Sequence, residues 1–176
     1  CLDELNLVAA LQPLINKRFQ MTLEARVPIS EAERLVKKVF LKNGVREDLA
    51  ASVSTALVAA EAEGQVGHGF SRVKDYIAQV KSKKINVDAI IKIEHPKPTS
   101  ISIDADYGFA YPALDHGISE GALVAKEFGS AVVSIFNSHH CGALSVQVEK
   151  IANHGLIGLM MANTPKAIAP WGGKEP

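Results

Sequence analysis

The chain has 176 residues, 47% of them hydrophobic, with 19 Lys+Arg balanced by 19 Asp+Glu. That apolar content supplies a core and argues against disorder, and zero formal charge excludes the basic excess on which nucleic-acid binding depends. No apolar run reaches the ~20 residues of a membrane span, no signal peptide is evident, and two cysteines, Cys1 and Cys141, are too few for a disulfide framework, so a cytoplasmic protein is expected.

In chain order, Met21 is read as a true start behind an extension, residues 1–20, in which residues 6–15 form a short apolar helix. Ser30-Glu31-Ala32-Glu33 has the spacing of a capping box, and Ala32, Leu35, Val36, Val39 and Phe40 follow at helical period up to Gly44. A second helix is predicted from Glu47 to about Gly64, with Leu49, Val53, Ala56, Leu57 and Ala60 on one stripe. The glycine-rich Gly64-Gln65-Val66-Gly67-His68-Gly69 must bend, and a third helix starts beside Gly69 and runs to about Lys81, burying Val73, Ile77 and Val80. The basic run Lys81-Ser82-Lys83-Lys84 is read as a helix end, where cations meet the negative dipole pole.

Pro96-Lys97-Pro98 reads as the linker-like spot, after which the period changes. Ser100 to Ala105 alternates polar and apolar as a half-buried strand does. Tyr111 to Phe128 is predicted helical, with Leu114, Ile118, Ala122 and Ala125 aligned. Ala131–Phe136 is a short strand, Ala143–Asn153 a helix, and Leu156–Ala162 another buried strand. The fold class is therefore α/β: an N-terminal helical cluster followed by a mixed α/β sheet domain.

Three places carry candidate chemistry. His68, Arg72 and Tyr76 stand four residues apart, so a helix through them puts all three on one face, offset from the Val73/Ile77/Val80 stripe and looking into a cleft. Histidine passes protons near neutral pH, arginine offers a planar fork for a carboxylate, and tyrosine orients either one. Asn137-Ser138-His139-His140-Cys141-Gly142 lies between a strand and a helix, where α/β proteins place ligand-binding groups. His139, His140 and Cys141 raise a zinc reading, but adjacent residues rarely aim at one ion and no CxxC or HxxxH partner accompanies them, so no metal is expected. The third place, Asn163-Thr164-Pro165 to Trp171-Gly172-Gly173, is an ordered loop shaped by proline and glycine. No G-x-G-x-x-G and no Walker A sequence is present. His95, His116 and His154 are read as structural.

Together these motifs resemble the malate/L-lactate dehydrogenase family that lacks a Rossmann fold. Glu61 to Arg72 resembles its acidic-x-x-Gly-x-x-Ser-His-Gly-x-x-Arg segment, and Asn137 to Ala143 its Asn-x-x-His-x-Gly turn. Gly155-Leu156-Ile157-Gly158 and the stretch from Asn163 to Gly173 resemble its next two landmarks, so the likeness runs from about Pro28 onward. The resemblance implies that His68 is the catalytic acid/base, Arg72 the substrate-carboxylate clamp, His140 a second catalytic histidine, assigned as a proton acceptor in some members and also on the cofactor side, Thr164 a nicotinamide contact and Tyr76 a substrate-side tyrosine. It implies NAD or NADP as cofactor, a small carboxylate substrate, and homodimers with sites between subunits. It divides the chain into the extension, a helical substrate-side domain (21–95) and the first part of an α/β cofactor-binding domain (96–176). Gly67 departs from the family's usual Ser, and the family's Gly-Thr-Asn-Pro segment and later catalytic Asp are missing.

The implied reaction is hydride transfer between nicotinamide and the carbon next to a carboxylate, in a 2-oxo or 2-hydroxy acid or a cyclic imino acid. Gly108 to Leu114 and the doubled His139-His140 look most like the family's cyclic-imine reductases. Two alternatives stay open: a catalytically inactive binding or assembly fragment, and a zinc-dependent hydrolase using His139, His140 and Cys141.

Overall fold

The structure is a computed structural model that describes residues 26–163 and 172–174. Five helices and three strands run through the described residues. They are α1 (Ile29–Lys42), α2 (Glu47–Ala62), α3 (Ser71–Lys81), β1 (Lys92–Lys97), β2 (Ser100–Asp104), α4 (Ala110–Phe128), β3 (Val132–Phe136) and α5 (Leu144–Asn153). The readings on residues 6–15, Met21, Thr164 and Trp171 lie outside the described residues. Among the described residues no helix is long and apolar enough to cross a membrane.

The helical cluster forms as the periodicity requires. Ala32, Val36 and Phe40, each one turn apart, bury the inner face of α1, and Gly44 with φ +80° turns the chain back. The capping box does not form: α1 starts at Ile29 with Pro28 as its N-cap and no side-chain cap. The Pro28 carbonyl instead accepts from the N–H groups of Glu31 and Ala32, and Glu31 pairs with Arg34 at 2.6 Å. Helix α2 was expected to show one stripe, yet it is buried nearly all round, at Leu49, Ala50, Val53, Ser54, Ala56, Leu57, Val58 and Ala60. It is the central helix, packed against α1, α4 and α5, and its many alanines let those neighbours approach closely.

The sheet has the order β1-β2-β3, with β1 antiparallel and β3 parallel to β2. The Pro96 region is not a linker. It closes strand β1, which pairs with β2 through a register shift between Glu94 and Lys97, and a proline is tolerated there because β1 is an edge strand. A boundary at 95/96 therefore falls inside a strand. Helix α4 crosses from β2 to β3 and lies on the sheet through Gly117 and Gly121, whose added Cβ atoms would stand 2.9 and 3.0 Å from Val133. It also joins two cores: Tyr111 belongs to the helical one, and Ala113, two residues on, to the one formed by Ile101, Ile103 and Ala105. The segment Leu156–Ala162 is not a buried strand. It pairs with no strand among the described residues, and Ile157, Leu159 and Met161 are exposed.

Candidate active site

His68 sits in the turn between α2 and α3 rather than in the helix itself. Gly64 at φ +78° ends α2, and the His68 N–H donates to the Gln65 carbonyl at 2.7 Å. Glu61, in the last turn of α2, reaches across the turn, and its carboxylate accepts from the Phe70 N–H at 2.8 Å. This supplies an acceptor for a free N–H at the start of α3, where negative charge is favoured. Gly69 is required for that reach, because a Cβ there would collide with the Glu61 side chain, 2.9 Å from its Cβ and closer to the carboxylate. Ser71 Oγ donates to the Val66 carbonyl at 2.5 Å and Arg72 Nε to the Gly67 carbonyl at 2.6 Å, so the turn is tied at both sides. Arg72 also stands 3.8 Å from Asp75. Gly67 has open space around it and no positive φ, so a serine there meets no steric bar.

The second histidine comes from the loop after β3. Asn137, at φ +49°, donates through Nδ2 to Asp104 at 3.1 Å, which fixes the loop to the end of β2. The His139 N–H donates to the Gly108 carbonyl at 3.0 Å, and Gly142 at φ +70° turns the chain into α5. His139 points inward, its ring edge-on to Tyr76 at 5.6 Å and its Nδ1 buried without a partner. His140 points outward, and its ring stacks on His68 with centroids 5.6 Å apart and an interplanar angle of 14°. Its Nδ1 is 2.8 Å from the Tyr76 hydroxyl, which in turn is 3.0 Å from the Tyr111 hydroxyl.

The expected face of His68, Arg72 and Tyr76 is thus split. Tyr76 does not look into a cleft: it is 2% exposed, packed beside Phe109 and Tyr111 in the helical core, with only its hydroxyl reaching toward the site. Two reasons combine: α3 begins at Ser71, so helical spacing does not carry through His68, and Tyr76, three residues after Val73 and four before Val80, lies on the buried Val73/Ile77/Val80 stripe rather than offset from it. Tyr111, which the sequence marks as a helix start and as part of the Gly108–Leu114 stretch without a role at the site, joins it through its hydroxyl. The signal that would have found it is a tyrosine on an otherwise fully apolar helix face, since a buried phenol needs a partner. Glu61, quoted only within a motif, sets the turn that carries His68.

Burial first, and then the nearby charge of Arg72 and His68, holds the His140 imidazole below the ordinary histidine range. Burial, with His140 and Lys84 adding to it, lowers His139 to about 4. Burial pushes the Tyr76 phenol up to about 12 and raises Tyr111 and the Cys141 thiol as well. His140 and both tyrosines are therefore neutral at pH 7. His139 and His140 turn to opposite sides of their loop, and no group of three or more His, Cys, Asp or Glu converges among the described residues.

The model of the malate/L-lactate dehydrogenase family matches residues 27–176. The chain is 37% identical over 150 residues to the (2R)-3-sulfolactate dehydrogenase (NADP(+)) of Chromohalobacter salexigens, covering 85% of this chain and 45% of that protein. It is 30% identical over 151 residues to the Δ1-pyrroline-2-carboxylate/Δ1-piperideine-2-carboxylate reductase of Pseudomonas putida, covering 86% of this chain and 44% of that protein. Among solved structures, the Δ1-piperideine-2-carboxylate reductase from Pseudomonas syringae matches with a TM-score of 0.72 at 27% identity, over 74% of this chain and 40% of that one. The malate dehydrogenase from Pyrococcus horikoshii matches with a TM-score of 0.70 at 28% identity, over 74% and 38%. The chain thus spans less than half the length of these relatives, and its mixed sheet and helical cluster have the architecture of these non-Rossmann enzymes. It belongs to the malate/L-lactate dehydrogenase family.

Proposed function

We propose that this chain carries the acid/base part of the active site of an NAD(P)-dependent oxidoreductase. The reaction moves a hydride between nicotinamide and the carbon next to a carboxylate, in a 2-oxo or 2-hydroxy acid or a cyclic imino acid. The observation that supports it best is the pairing of His68 with His140, rings stacked at 5.6 Å, beside the cation of Arg72. Two relatives, named for sulfolactate and for cyclic imino carboxylates, act on small carboxylates. An arginine fork beside an imidazole answers that chemistry, because the one binds the carboxylate and the other serves the adjacent oxygen or nitrogen.

The residues present fit the nicotinamide end of such a cofactor: His140 offers an exposed imidazole edge whose Nδ1 is already held by Tyr76, leaving Nε2 for a ligand. His140 and Thr164 would hold that end. When bound, the dinucleotide supplies or takes the hydride. His68 donates a proton to the substrate oxygen or nitrogen during reduction and takes it back during oxidation. Arg72, already oriented by its Nε bond to the Gly67 carbonyl, fixes the carboxylate so that the neighbouring carbon meets the hydride. Tyr76 acts from below, through His140. The working enzyme is a cytoplasmic homodimer.

In the intact protein, His68→Ala lowers kcat about 10²–10⁴-fold with NADH or NADPH still binding, because a placed proton donor contributes that much. A panel of 2-oxo acids and cyclic imines gives the substrate. An unchanged kcat in the variant removes His68 from the chemistry.

A further inference from the structure

The hydroxyl chain beneath the site has a direction, and that direction assigns the role of His140. Three groups are in line: Tyr111 OH, Tyr76 OH 3.0 Å away, and His140 Nδ1 a further 2.8 Å on. Both tyrosines are almost fully buried. The loop backbone closes over the far end, since a Cβ at Gly142 would stand 2.5 Å from the Tyr111 hydroxyl. Among the described residues Tyr76 is the one hydrogen-bond partner of that hydroxyl.

Two arrangements of protons are available. In one, His140 Nδ1–H donates to Tyr76, Tyr76 donates to Tyr111, and the Tyr111 proton is left buried with no acceptor among the described residues, which is unfavourable. In the other, Tyr111 donates to Tyr76, Tyr76 donates to His140 Nδ1, and every hydroxyl proton is used. We propose that Tyr111 and Tyr76 hold His140 as a neutral imidazole with its proton on Nε2, a positioning pair that makes His140 a hydrogen-bond donor to the ligand rather than a base. Adding a proton at Nδ1 would strand one hydroxyl, whichever way the chain turned.

The groups facing His140 agree with this. His68 comes from the turn and Arg72 and Tyr76 from α3. Tyr111 stands behind on α4, and His139 and Cys141 flank it in its own loop. The acids on this side are already engaged, Asp75 beside Arg72 at 3.8 Å and Glu61 on the Phe70 N–H at 2.8 Å. An imidazolium would thus face a cation and another imidazole. A neutral imidazole with its proton on Nε2 presents a hydrogen-bond donor to the nicotinamide end of the bound cofactor, the contact proposed above, and keeps Nδ1 engaged by Tyr76. On this division of labour, which rests on the function proposed above, His68 alone carries the transferred proton.

The test is the tautomer itself. Long-range proton–nitrogen spectra of the full chain labelled with ¹⁵N-histidine, with His140 identified by the loss of its signals in His140→Gln, should show Nδ1 unprotonated and Nε2 protonated. That state should persist below the pH at which ordinary histidines, near about 6.5, take up a proton. In Tyr76→Phe/Tyr111→Phe, which removes both hydroxyls and so strands neither, His140 should titrate closer to that ordinary value and populate both tautomers. A proton on Nδ1 in the parent protein overturns the proposal, and so does an unmoved titration in the double variant. If the double variant does not fold, the parent spectrum decides alone. The readout needs no turnover. Absence of activity toward every 2-oxo acid and cyclic imine would count against the oxidoreductase reading, and a wrong tautomer in an active enzyme would count against this inference only.

Discussion

The helical cluster and the sheet differ in how completely they are packed. In the cluster, Phe40, Val53 and Leu57 are fully enclosed, and Phe40 meets Phe109 edge-on at 5.8 Å. On the sheet side, Val132 and Phe136 of β3 are exposed, and beyond α5 the apolar Ile157, Leu159 and Met161 point outward. The histidine pair lies where the two meet, His68 from the cluster and His140 from the loop after β3. The contrast teaches that the precision of this site is borrowed from one side: Tyr76 and Tyr111, both core residues of the cluster, reach out to hold a ring belonging to the other.

The contrast can be broken first by cavity. Leu57→Ala, at a fully buried position, should cost about 2–5 kcal/mol in denaturant unfolding. Leu159→Ala, at a position 85% exposed, should stay within about 0.5 kcal/mol. Equal losses at the two would mean that Leu159 is covered in solution.

A smaller effect comes from the junction. His139 is held neutral with a folded-state value of about 4, below the ordinary value near about 6.5. The unfolded chain therefore binds the proton more readily between those limits. The stability from keeping His139 neutral is present in full above pH 6.5 and is lost as pH falls toward 4, by at most about 1.4 kcal/mol per pH unit. Lowered His140 acts in the same direction. Unfolding free energies measured across pH 4–7 should fall on the acid side, and His139→Asn should flatten part of that slope. A slope unchanged by the substitution would place the titrating group elsewhere.

The smallest effect sharpens the comparison at the turn. Gly67→Ser should change stability by no more than about 0.5 kcal/mol, since the position is open and has no positive φ. A Tm drop of many degrees would show that the turn needs glycine's freedom there.

Much of this was legible in the sequence, for reasons that differ by element. Helices α1 to α5 and strands β2 and β3 announce themselves in the pattern of apolar residues, because each meets a core, α2 on nearly every side and the others on one face. Strand β1 does not: Lys92, Glu94, His95 and Lys97 leave it mostly exposed, and Pro96 disguises it as a break. Leu156–Ala162 misleads in the other direction, since its apolar residues spell a buried strand that has no sheet partner among the described residues. His68, Arg72 and His140 were visible as residue types in the right company. The role of Tyr111 was not, because it depends on a contact across 35 positions between two helices that only the packed cluster brings together.

One carboxylate described above has a mechanical corollary. Glu61 ends one helix and supplies the acceptor from which the next one starts, so α2 and α3 are coupled through a single side chain. The turn that carries His68 is suspended between them like a short strap with both buckles fastened. The position of the His68 backbone is thereby referred to α2 on one side and, through the Glu61 carboxylate on the Phe70 N–H, to the start of α3 on the other.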